Sequence, residues 1–135
     1  MNASMEALAL YAGLSGLIGM WLLANVGKTK HAEKVSIGDG GSKAIIRAMR
    51  GQANFVENVP ITLILLSMMV FLGVPVWLIH ILGAMLVVGR FFHAYHFIQS
   101  DAPRWQRALG FCLSFLVLII ASLGLIGLSI WGMIS

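Results

Sequence analysis

The segment Arg47-Ala-Met-Arg50-Gly-Gln-Ala-Asn54-Phe-Val-Glu57-Asn58-Val-Pro60 runs directly into the apolar stretch Val59–Leu72. At about 100° per residue, Arg47, Arg50, Asn54, Glu57 and Asn58 fall within roughly one 100° arc of a helix. Gln52 points to the opposite side. The uncharged stretch from Asn58 to Gly73 reaches only about 24 Å at 1.5 Å per residue, against a hydrocarbon core of roughly 30 Å. To cross a bilayer, this helix must draw Glu57, Asn58 and Asn54 to the membrane boundary or below it. Ionisable groups at that depth are costly and mark a ligand or pathway site rather than scaffolding.

Working outward, the composition agrees with a membrane protein. The 135 residues are 59% hydrophobic and only 10% charged, with a mean hydropathy of +0.92. A soluble domain carries roughly 25% charged residues, so lipid is expected to cover most of this chain. Three further apolar runs, about Ala7–Val26, Val76–Phe97 and Ala108–Ile134, approach or exceed the ~20 residues of a spanning helix. The expected fold is an all-α integral membrane protein, a single four-transmembrane-helix bundle with spans at about 5–27, 43–72, 76–98 and 104–132. The first 27 residues lack a basic leader and carry Glu6, so they read as a retained span rather than a cleaved signal. The single Cys112 excludes an internal disulfide and, in an apolar run, reads as an inert thiol.

With four spans, all nine Lys and Arg residues fall on one side of the membrane. The positive-inside rule places that side in the cytoplasm and both termini on the other. The net charge of +4 follows from this asymmetry and requires no nucleic-acid partner. Between spans one and two lies a polar loop of about 15 residues containing Gly38-Asp-Gly-Gly41, with Ser42 as N-cap of the next helix. Spans two and three are joined by the uncharged turn Gly73-Val-Pro75.

Two further clusters lie at the charged end. Span three closes with Gly89-Arg90-Phe-Phe-His93-Ala-Tyr95-His96-Phe97, in which Arg90, His93 and Phe97 share a face. The following segment, Pro103-Arg104-Trp-Gln-Arg107-Ala-Leu-Gly110, opens span four. Arg50, Arg90 and Arg107 thus reach one membrane level from three helices, beside Asn54, Glu57 and His93. This convergence suits a small anionic ligand carrying carboxylates and amides. Arg104 and Arg47 read as contacts to lipid headgroups. His96 falls off the arginine face, so no metal site with His93 is expected.

These motifs resemble the membrane-associated proteins in eicosanoid and glutathione metabolism, the MAPEG family, which includes microsomal glutathione transferase and prostaglandin E synthase. The resemblance rests on Arg47-x-x-Arg50-x-x-x-Asn54-x-x-Glu57-Asn58-x-Pro60, Gly89-Arg90-x-x-His93 and Pro103-x-x-x-Arg107-Ala-Leu. It implies a homotrimer of four-helix bundles, multi-pass in a bacterial inner membrane or the endoplasmic reticulum, with glutathione as co-substrate between neighbouring subunits. It further implies that Arg50, Asn54, Glu57, Arg90 and His93 bind glutathione and that Arg107 stabilises its thiolate. The second substrate would be a hydrophobic electrophile or lipid hydroperoxide arriving through the bilayer, as in a detoxifying transferase or peroxidase.

The chain departs from the family pattern at Phe97, where many members carry a tyrosine, and Tyr95 lies on another face. Gln52 and Ala53 replace basic or histidine neighbours found in some eicosanoid-forming members, which favours a detoxifying branch. Two alternatives stay open from the residues alone. One is a proton-coupled exporter of drug-like cations using Glu57, and the other is a non-catalytic member that binds glutathione or a partner protein.

Overall fold

The structure, a computed structural model, describes residues 2–135. Four long helices follow one another: α1 (Ala3–Ala32), α2 (Lys43–Phe71), α3 (Val76–Ile98) and α4 (Arg104–Ile134). All four are long and apolar enough to cross a membrane. Only a helix satisfies every backbone group within its own segment in lipid, so near-continuous apolar runs leave this chain little other choice.

Local signals set the helix ends. Asn2 caps α1 by accepting from the Ser4 amide at 3.0 Å, and Ser42 caps α2 by accepting from the Ile45 amide at 3.3 Å. Pro75 and Pro103 stand at the N-cap positions of α3 and α4, where no backbone donor is needed. The α2–α3 turn closes with Gly73 at φ 77° and the Val74 amide on the Met69 carbonyl at 3.1 Å, a left-handed C-terminal stop that glycine adopts without a Cβ penalty. Ser4 Oγ donates to the Val74 carbonyl at 3.2 Å, tying the start of α1 to that turn.

One boundary differs clearly from the sequence reading, and α2 keeps the start expected for it. Helix α1 continues through Lys28, Lys30 and His31 to Ala32, so the polar connection is shorter than the apolar run suggested. Helix α2 begins at Lys43 and runs without interruption past Pro60. Its 29 residues span about 44 Å, so the polar segment Arg47–Asn58 is one end of a single rod. Its polar side chains are partly satisfied on the rod itself. Asn58 Nδ2 donates to the Asn54 carbonyl and Thr62 Oγ1 to the Asn58 carbonyl, each at 2.8 Å.

Helices α2 and α3 form the centre, with α1 and α4 on opposite sides and no contact between those two among the described residues. The uncharged half packs Leu66, Met69, Ile79, Leu82, Leu86 and Val117. The charged half packs Ile18, Leu22 and Ala94 against Trp21, Phe55 and Ile98. Helices α3 and α4 meet closest at two glycines. A Cβ on Gly110 would lie 2.5 Å from the Gly89 carbonyl oxygen, and one on Gly89 would lie 2.9 Å from Ser114 Oγ. That approach brings the start of α4 against the face of α3 bearing Arg90 and His93.

Candidate functional site

The α3–α4 crossing positions the first part of the site. Arg90, one residue beyond Gly89, is 3% exposed, and its Nη1 donates to Asn54 Oδ1 on α2 at 2.8 Å. Its Nε–H is buried without a hydrogen-bond partner. Burying a guanidinium is expensive, so this arginine is held inside the bundle rather than snorkelling to headgroups. His93, one turn further along α3, is equally buried, and Gly110 of α4 packs on its backbone.

Beside them lies a cleft of about 640 Å³ between α2, α3 and α4, within the range of small-molecule sites. Its polar wall is made of Arg47, Asn54, His93, His96, Arg104 and Arg107. Ala102, Ala108 and Phe111 supply an apolar side towards α4. No carboxylate lines it among the described residues. Three guanidiniums and two imidazoles around one space, unopposed by acid, form an anion-attracting site with charge-assisted donors.

The structure brings Asn54, Arg90, His93 and Arg107 together, as the sequence pattern suggested. It also adds residues assigned elsewhere. Arg47 and Arg104, read as headgroup contacts, both line the cleft. Arg47 does more: its Nε donates to the Gln99 carbonyl at 2.9 Å and its Nη2 to the His96 carbonyl. These carbonyls end α3, where a cation is favoured by the helix dipole. Arg47 is therefore a cap on α3 as well as a wall of the cleft. His96, placed off the arginine face by strict angular counting, is buried, its Nδ1 lies 3.2 Å from the Pro103 carbonyl, and its ring reaches the cleft. The α3–α4 connection folds back over it, which angular counting on one helix does not register.

Arg50 and Glu57 stand apart. Both are exposed, and neither lines the cleft. On α2 they are rotated by roughly 40–60° from Asn54, away from α3 and α4. They continue along a stripe with Ile61, Ile64, Met68 and Phe71, of which Ile64 is 57% and Phe71 71% exposed. The spacing is 57, 61, 64, 68, 71, the alternating three-and-four step of a helix seam. The recognition groups expected from the sequence are thus divided between an internal cleft and an external α2 face.

A second cleft of about 400 Å³ opens beyond Arg47, between Thr29, Lys43, Phe97 and Ser100. Arg47 lines both spaces and Phe97 lines the second. Arg47 Cζ sits 5.5 Å and Arg107 Cζ 5.7 Å from its ring centroid. Phe97 itself carries no hydroxyl.

No solved structure matches the chain at a significant level. The chain is 37% identical over 100 residues to Inner membrane protein YecN of Escherichia coli strain K12, covering 74% of this chain and 76% of that protein. The same figures hold for Inner membrane protein YecN of Escherichia coli O6:H1. The MAPEG family model matches residues 8–127, which takes in α2 and α3 whole, most of α1 and α4, and every cleft residue named above. This multi-pass membrane protein belongs to the MAPEG family.

Proposed function

We propose that the protein is a membrane-bound glutathione-dependent transferase, with peroxidase activity towards lipid hydroperoxides, working as a homotrimer. The observation that carries this reading is the acid-free cleft whose wall combines Arg47, Arg104 and Arg107 with Asn54, itself held by buried Arg90. Glutathione offers two carboxylates for forked arginine pairing and peptide groups for Asn54. Its ammonium needs an acid, and Glu57 is that acid.

Glu57 and Arg50 face outward on the unpartnered α2 stripe, so in a trimer they reach a neighbouring subunit's cleft. The apolar seam Ile61–Phe71 supplies the contact that brings the subunits together. On this reading the charged end faces the cytoplasm, the termini lie on the other side, and the membrane is a bacterial inner membrane.

The chemistry needs a thiolate, because it rather than the thiol attacks electrophiles. Arg107, exposed in the single chain at the cleft wall, stabilises that negative charge while the thiol proton passes to water. In conjugation a carbon–sulfur bond forms as the electrophile's leaving group departs with its electron pair. In peroxide reduction the thiolate sulfur attacks the terminal peroxide oxygen and the O–O bond breaks, releasing an alcohol and leaving a sulfenic acid. A second glutathione thiol then attacks that sulfur, the disulfide closes and the oxygen leaves as water. The hydrophobic reactant enters along the Ala108–Phe111 side of the cleft, which faces α4 and lipid.

The test is a glutathione titration of detergent-purified protein, followed by conjugation of a chloronitrobenzene electrophile. Saturable binding and turnover support the reading. Absence of binding overturns it. The exporter alternative loses support because Glu57 does not line the cleft and the cleft would repel cationic cargo.

A further inference from the structure

We infer that Phe97 is a positioning residue whose phenyl ring, rather than any hydroxyl, fixes the Arg107 guanidinium at the cleft wall. Arg47 and Arg107 come from different helices and carry the same charge, yet both guanidiniums lie over one ring, at 5.5 and 5.7 Å. The negative face of a phenyl ring attracts a cation within about 6 Å, so the ring offsets a repulsion that would otherwise drive two flexible side chains apart.

The two arginines are not equally dependent on it. Arg47 is anchored by the carbonyls of His96 and Gln99. Arg107 is exposed and has no hydrogen-bond or ion-pair partner among the described residues. The contact with Phe97 is what orders it.

The ring is itself firmly seated. A Cβ on Gly51 of α2 would lie 2.7 Å from Phe97 Cβ, so glycine there lets α2 close down on this residue. The His93 ring stands 5.0 Å away and the His96 ring 5.3 Å away, nearly perpendicular to it. A rigid ring gripped by α2 and α3 thereby transmits the bundle's geometry to a side chain on α4. The departure at Phe97 gives up a hydroxyl and keeps the platform, and Tyr95, stacked on Phe91 in a separate aromatic group, supplies neither here.

The test follows the arginine Nε–H resonances of ¹⁵N-arginine-labelled protein in detergent micelles, assigned with Arg→Lys variants. The Arg107 signal should be ring-current-shifted in the native protein and in Phe97→Tyr, and lose that shift in Phe97→Leu while the Arg90 signal stays in place. An Arg107 signal indifferent to Phe97→Leu overturns the inference. Should Phe97→Leu fail to fold, stepwise fluorination of the Phe97 ring keeps its shape and withdraws its negative face. Increasing mobility of Arg107 with fluorination supports the role, and constant mobility overturns it.

A second arm rests on the glutathione reading above. Followed by its ultraviolet thiolate absorbance across pH, bound glutathione should ionise about one pKa unit higher in Phe97→Leu, a tenfold change in proton affinity, and within about twofold of the native affinity in Phe97→Tyr. If the native protein binds no glutathione, the functional reading fails, and the arginine resonances still decide the role of Phe97.

Discussion

Arg90 of α3 and Asn54 of α2 are joined by a 2.8 Å hydrogen bond from a guanidinium that is only 3% exposed. Each residue is polar, each sits on a helix that crosses a membrane, and each limits the other's freedom. Replacing Asn54 with Ala removes the one side-chain acceptor this buried cation has among the described residues. We expect a loss of about 1–3 kcal/mol, read as a lower midpoint of thermal unfolding in detergent, with Asn54→Asp recovering part of it through a charged acceptor. An unchanged midpoint in Asn54→Ala would show that Arg90 repartners freely and that the bond does not hold the helices.

The α3–α4 crossing depends on having no side chain at Gly89 and Gly110. Gly110→Val places carbon against the Gly89 carbonyl and the His93 backbone, so the helices must separate. The expected outcome is poor yield of folded protein and, in whatever folds, loss of anion binding at the cleft. Gly127→Val, where a Cβ meets nothing within 4 Å, is the matched control and should behave as the native protein does.

Binding and activation should come apart at the arginines. Arg107→Ala should retain most glutathione affinity and lose the thiolate absorbance and conjugation, by roughly 10²-fold or more in kcat. Arg104→Ala and Arg47→Ala should instead weaken affinity, and Arg47→Ala should additionally destabilise the end of α3. Full activity in Arg107→Ala would move the thiolate-stabilising role to Arg104.

The division of groups between cleft and outer face has a mixing test. Glu57→Gln and Arg107→Ala, each inactive alone, should complement when co-expressed, because a site between subunits can draw Glu57 from one chain and Arg107 from its neighbour. Random assembly restores roughly a quarter of the sites. If both groups serve the site from the same chain, mixing restores nothing.

Raising ionic strength should weaken glutathione binding to the arginine-lined cleft. Screening acts most on exposed charges, so the salt dependence should flatten in Arg104→Ala and persist in Arg90→Lys. Isothermal titration at two salt concentrations checks this.

Much of this was legible in the chain itself. Four spans, their helical nature and the gathering of all nine cations at one end follow from length, hydropathy and the cost of unsatisfied backbone in lipid. So does the candidate status of Asn54, Arg90, His93 and Arg107, since polar residues at that depth have few bland explanations. Angular counting treats each helix as an isolated cylinder, however, and cannot say which side chain a neighbouring helix will meet. Depth along α2 put Arg47 among headgroups, although the open carbonyls at the end of α3 draw it inward. Angular counting dismissed His96, which the return of the chain at Pro103 covers. It grouped Arg50 and Glu57 with Asn54, where a rotation of roughly 40–60° separates an inner wall from an outer face. Spacing along one helix fixes which residues share an arc; only the packing of three helices, at two glycines and around one phenyl ring, decides which arc becomes a site.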